Sequence, residues 1–184
     1  MGKSRMPRKV DQRAAVKVSS ASGGVPSPQP DAQRSAALAE LEFGLVVSWN
    51  AFSRWAVRCM AAAGGADLTI TDVLLLHHIN HRARNKKLAD VCFALNYEDT
   101  HVVAYSLKKL VSAGLAQTER LGKEVLYSPT PAGEAAVQRC REVREACLVD
   151  NLDVDRSHDM GELARLLRSM SGLYDQAARA ATSL

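Results

Sequence analysis

Thr100-His-Val-Val-Ala-Tyr-Ser-Leu-Lys-Lys-Leu-Val-Ser112 holds the residues best suited to chemistry in this chain. At about 100° per residue, Val103, Leu107, Leu110 and Val111 turn to one side of a helix, and His101, Tyr105, Lys108, Lys109 and Ser112 turn to the other. An imidazole and a phenol beside two ammonium groups can read the edges of nucleic-acid bases while neighbouring cations neutralise phosphates. His101 and Tyr105 are the candidates for bases, Lys108 and Lys109 for the backbone, and the Thr100 hydroxyl for either. Arg120 and Lys123 follow within a short basic segment, and Lys86 and Lys87 precede it. No arginine stands on the polar face itself, so modest intrinsic specificity, or help from nucleic-acid shape, is expected.

Other chemistry is weaker. His77 and His81 are spaced i, i+4, which can direct two imidazoles at one metal, but no third and fourth ligands stand nearby; the reading is a polar helix face or an interdomain contact, with no metal. Cys59, Cys92, Cys140 and Cys147 contain no Cys-x-x-Cys pair, which argues against a zinc knuckle and a disulfide framework. Cys59, Cys140 and Cys147 lie on apolar stripes, the usual place of inert buried thiols. There is no Gly-rich phosphate loop, no paired carboxylates in an apolar setting and no Ser-His-Asp arrangement. The expectation is a protein that is not an enzyme and needs no cofactor.

The elements around the polar face can be read from periodicity and stop signals. Asp31 to about Ala63 predicts one long helix ended by Gly64-Gly65, with Leu38, Leu41, Leu45, Phe52, Trp55 and Cys59 on its stripe. Thr69 or Thr71 can cap a second helix whose inward face is Leu75, Leu76 and Ile79, with His77, His78 and His81 on its other side. A basic linker from Arg82 and Arg84 to Lys86 and Lys87 leads to a short helix ending near Asn96. Asp99 or Glu98 opens the helix bearing His101, and Gly114 followed by Leu115 stops it. Two strands follow, joined by Gly122-Lys123 in a type II′ hairpin turn. Thr130 and Pro131 then start a helix running to about Asn151 with Ala136, Cys140, Val143 and Cys147 on one stripe. The last helix keeps a three-four rhythm through Met160, Leu163, Leu167, Met170 and Tyr174.

Helix, turn, helix and then a small basic hairpin is the order of a winged helix-turn-helix. The fold class is therefore mainly α (α+β), with long N- and C-terminal helices as dimerisation elements. The formal net charge is +4, yet residues 1–30 alone carry Lys3, Arg5, Arg8, Lys9, Arg13 and Lys17 against Asp11. That stretch, ending SSASGGVPSPQP, is expected to be a disordered basic tail. No run approaches the about 18 apolar residues of a membrane span, and the start lacks a signal-peptide core, so a soluble cytoplasmic protein is expected.

With LKKLVSAGLA running into one strand and SPTPAGE leaving the other, the chain resembles the MarR (multiple-antibiotic-resistance regulator) family of bacterial winged-helix proteins from about Asp31 to Leu184. The resemblance implies residues 31–65 and 131–184 as dimerisation helices around a winged helix-turn-helix at 68–130. It also implies a homodimer, double-stranded DNA as partner, transcription regulation as function, most simply repression, and a small-molecule effector in the crevice between the two regions. Two departures matter. The spacing from Leu88 to Leu110 is about one helical turn longer than the family pattern, and RLGK stands where an Asp-x-Arg wing signature is common. The wing arginine carries over only to Arg120 or Lys123. The rival readings are a winged helix serving protein interaction, suggested by the near-neutral body, and a non-specific DNA binder dependent on the tail.

Overall fold

The computed structural model describes residues 30–65, 67–81, 85–152 and 157–184; the expected tail at 1–29 and Arg82 and Arg84 of the linker lie outside them. Helix α1 (Pro30–Ala62) is continuous, but packing divides the chain after Gly44. In the first unit, α1 is solvent-facing around Leu38 and Phe43, and Asp31 pairs with Arg34 one turn on.

The second unit, from Leu45, holds the core. Its order is the rest of α1, α2 (Ile70–Asn80), β1 (Lys86–Lys87), α3 (Leu88–Ala94), α4 (Thr100–Ser112), β2 (Ala116–Leu121), β3 (Glu124–Pro129), α5 (Pro131–Cys147) and α6 (Ser157–Ala181). Met60, Leu75, Leu76, Ile79, Leu107 and Leu110 are fully buried, so α1, α2 and α4 meet in one apolar core, joined by Val91 of α3 and Val137 of α5. At about 25 cal/mol per Å² of apolar surface, these side chains supply the main driving force for assembling the unit.

The expectations for α2 and α4 agree with the structure at their caps. Thr69, not Thr71, starts α2: its hydroxyl accepts from the Asp72 N–H, and the Asp72 carboxylate accepts from the Thr69 N–H in a reciprocal capping box. Asp99, not Glu98, caps α4 by accepting from the His101 N–H at 2.8 Å. At the other end, the Leu115 N–H reaches the Leu110 carbonyl and the Gly114 N–H the Val111 carbonyl, the paired bonds of a Schellman stop. Gly122 has φ +64 while Lys123 stays outside the left-handed region, which fits the type II′ hairpin.

Three expectations need correction. The sheet has three strands in the order β1-β3-β2, because Lys86 and Lys87 pair antiparallel with Tyr127 and Leu126. Two residues are too few to show the alternation that marks a strand in sequence. Helix α3 closes at Ala94, so the extra residues before α4 form a turn through Asn96, which is left-handed at φ 54. Its side-chain amide donates to the Ser171 hydroxyl and the Asp175 carboxylate of α6. Helix α5 ends at Cys147 and a separate 3₁₀ turn spans Val149–Asn151, which leaves Cys147 exposed rather than buried.

The start of α5 locks onto the end of α4. Thr130 caps α5 through the Gly133 N–H, donates its hydroxyl to the Gly114 carbonyl at 2.6 Å, and its own N–H reaches the Leu115 carbonyl. A Cβ at Gly133 would lie 2.0 Å from the Leu115 oxygen. Helix propensity favours alanine there by about 1 kcal/mol, but a clash with backbone that cannot swing away outweighs it. Gly133→Ala is therefore predicted to destabilise the fold by roughly 1–3 kcal/mol in urea titration, and an unchanged midpoint would contradict this close approach.

Candidate nucleic-acid interface

The polar face of α4 stays open because its other face is the core. Val103, Leu107 and Leu110 are fully buried, whereas Thr100, His101, Tyr105 and Lys108 are exposed, Tyr105 by 75 %. His101, Val102 and Tyr105 border a groove of about 490 Å³ between α4 and the start of α2. Val102 also presents apolar surface.

The basic residues divide by what holds them. Lys108, Arg120 and Lys123 are exposed and make no ion pair among the described residues. Lys109 is different. Its ammonium donates to the Asp72 carboxylate and the Asp67 carbonyl, both at 2.7 Å, which tethers it within the module. Lys86 donates to the backbone carbonyls of His81, at 2.6 Å, and Ile79. Lys87 lies 2.6 and 2.7 Å from the two carboxylate oxygens of Glu124 in β3, and that bond raises its pKa. These three lysines tie α4, the end of α2 and β3 to their neighbours. On the wing, the Asn85 amide meets Glu119, and Lys87 neutralises Glu124, so Arg120 and Lys123 set the sign of charge near the tip.

Asp72 was not legible as a site residue, yet it fixes the helix that carries the site. Its carboxylate is 2 % exposed and accepts from the Thr69 N–H, the Ser106 hydroxyl and the Lys109 ammonium. Burial alone would raise its pKa, but the bonds from Lys109, Ser106 and Thr69 together outweigh that cost and hold it below the ordinary value. The Thr69-x-x-Asp72 spacing signals a capping box, and only the folded chain shows the same carboxylate reaching across to α4.

His77 lies in α2, and His81 is the C-cap residue just past its end, with an extended backbone. Burial, and then the charges of Arg141 and Arg144, lower the His77 pKa. Among the described residues no group of three or more His, Cys, Asp or Glu side chains is placed to hold a metal ion.

Residues 68–133 match a family model described as a winged helix DNA-binding domain. No curated protein matches the chain. Solved structures share the fold at low identity. A mutant MarR from E. coli complexed with operator DNA is 18 % identical over 71 % of this chain and 95 % of its own, with a TM-score of 0.57. AbfR of Staphylococcus epidermidis is 18 % identical over 77 % and 96 %, with a TM-score of 0.62. Streptococcus pneumoniae FabT in complex with DNA is 17 % identical over 74 % and 99 %, at 0.57.

The Asp72 network predicts an acid signature. Because its folded pKa lies below the ordinary value of about 3.9, its contribution is complete above that pH and is lost as pH falls through the depressed folded value. Asp72→Ala is predicted to cost about 2–4 kcal/mol at neutral pH, allowing for the partial exposure of Lys109, with the gap to the parent narrowing below about pH 4. Equal gaps at neutral and acid pH would contradict the assignment.

Proposed function

We propose, from the premise that this chain contains a winged-helix DNA-binding domain and shares the fold of MarR-type regulators, that it is a sequence-specific, dimeric transcription regulator of the MarR family. The observation that carries the reading is the open face of α4: Thr100, His101, Tyr105 and Lys108 project from a helix whose opposite side is anchored in the core. His101 and Tyr105 read base edges in a major groove, Thr100 and Lys108 hold the backbone, and Arg120 and Lys123 bring the wing to a neighbouring groove. Residues 31–184 act as one MarR-like domain, and a basic tail ahead of it adds sequence-independent attraction. The sign of regulation that fits best is repression, in the cytoplasm.

A second copy is supported by apolar surface that one chain leaves open. On α6, Met160, Leu163, Leu166 and Leu173 are each about half exposed, and on α1 so are Val46, Val47 and Trp49. Trp49, Phe52 and Trp55 form an aromatic row with ring centroids 6.1 and 6.5 Å apart. A contiguous face of this kind on a helix is a packing surface in search of a partner. A cavity of about 270 Å³ bounded by Phe52, Trp55, Leu74, His77 and Arg144 suits a small effector, whose binding would alter the spacing of the two reading heads.

Two outcomes follow. Lys108→Ala is predicted to weaken binding to duplex DNA and to reduce the slope of log K against log salt by about 1, whereas an unchanged slope would remove Lys108 from the interface. Leu163→Glu combined with Leu166→Glu is predicted to convert a dimer to a monomer in light scattering, with the helical circular-dichroism spectrum of the winged module kept. A dimer that survives both charges would exclude α6 as the joint.

A further inference from the structure

Ser53, Arg54, Val57 and Arg58 of α1 and Ile70 at the start of α2 line a cavity of about 350 Å³, which shares no residue with the one beside Trp55 and His77. Its polar groups lack counterparts. The Ser53 hydroxyl oxygen is shielded from solvent and has no hydrogen-bond partner among the described residues, although a serine inside a helix ordinarily bonds the carbonyl one turn back. Arg54 and Arg58 are exposed, and neither makes an ion pair among the described residues. Four positions apart on a helix, their Cβ atoms stand about 6 Å from each other, and like charges at that spacing oppose the helix. Ile70 adds the positive end of the α2 dipole, whose own acidic residue, Asp72, is turned to α4.

We propose that this cavity is a binding site for a phosphate group that carries a small, largely apolar ester body. One oxyanion answers the two guanidiniums, the hydroxyl and the helix end together. Each guanidinium offers a planar fork of N–H donors that fits two phosphate oxygens, and two forks on one helix face take different edges of a single tetrahedral group. The Ser53 hydroxyl turns about χ1 between staggered wells and gains the partner it lacks. Val57 and Ile70 are half-buried and form an apolar wall, which favours an esterified phosphate over the bare ion.

This chemistry has two sources, a soluble phosphate monoester and the backbone of the duplex proposed above as partner. Isothermal titration of the full chain with phenyl phosphate, inorganic phosphate and phenol tests the first. Phenyl phosphate is expected to bind more tightly than inorganic phosphate. The Arg54→Ala, Arg58→Ala variant is expected to lose at least about tenfold in affinity for phenyl phosphate and to keep its affinity for phenol, which separates this site from the cavity beside Trp55. Ser53→Ala is expected to weaken phenyl phosphate by about threefold to tenfold with a thermal midpoint equal to or above the parent's, because a hydroxyl without a partner has been removed.

The second arm titrates duplex DNA at several salt concentrations. A slope of log K against log salt that falls by about 2 in the double-alanine variant assigns the site to the DNA backbone, whereas an unchanged slope with phenyl phosphate binding lost assigns it to a soluble ester. Two results would overturn the proposal. One is that the two substitutions change neither phenyl phosphate affinity nor the salt slope. The other is a fall from dimer to monomer in light scattering, since the arginines would then be meeting carboxylates of a second copy.

Discussion

One buried carboxylate sets the geometry on which the open face of α4 depends. Asp72 caps the first turn of α2 and, from the same side chain, accepts bonds from Ser106 and Lys109 on α4. A charge this buried is tolerated only if its lone pairs are met, and here a backbone N–H, a hydroxyl and an ammonium meet them. Apolar packing of Val103, Leu107 and Leu110 brings α4 against the core, but packing alone permits sliding and rotation along a smooth ridge. The Asp72 bonds are directional. They fix the rotation of α4, and with it the direction in which His101 and Tyr105 point.

That constraint sorts the basic residues of the module. Lys109 is spent on Asp72, Lys86 on the end of α2 and Lys87 on β3, so three of the cations nearest the reading helix hold the scaffold together. Lys108, Arg120 and Lys123 face outward without such partners among the described residues. A chain near neutrality outside its basic N-terminal stretch can therefore still present a positive edge, because carboxylates such as Glu124 are neutralised within the module. Asn96 adds a link of another kind: its amide joins the turn before α4 to Ser171 and Asp175 of α6, so the reading head and the last helix share a contact.

What the sequence made legible is what short-range physics controls. The 3.6-residue rhythm gave α1, α4, α5 and α6 to within a few residues at their starts, and Asp99, Gly114, Gly122 and Thr130 marked caps and turns that the structure contains. The open side of α4 followed from the same periodicity. Periodicity tells which way a side chain points and not what it meets, so Lys108 and Lys109 looked alike although one has no ion-pair partner among the described residues and the other is tethered to a residue 37 positions away. The two-residue strand β1 was too short to leave a pattern, and the Cys59 and Cys140 contact joins positions 81 apart. Burial of Asp72 had only its capping-box spacing as a local sign, and the close approach at Gly133 had none.

The central claim is that two copies of the α4 face, held by α1 and α6, read a roughly palindromic duplex. Selection of binding sites from a random duplex library, followed by hydroxyl-radical footprinting of the winners, tests it most directly. The account predicts an inverted repeat with two protected patches whose centres are about one helical turn apart. Selected duplexes without a common sequence, or protection spread evenly along the strand, would contradict it.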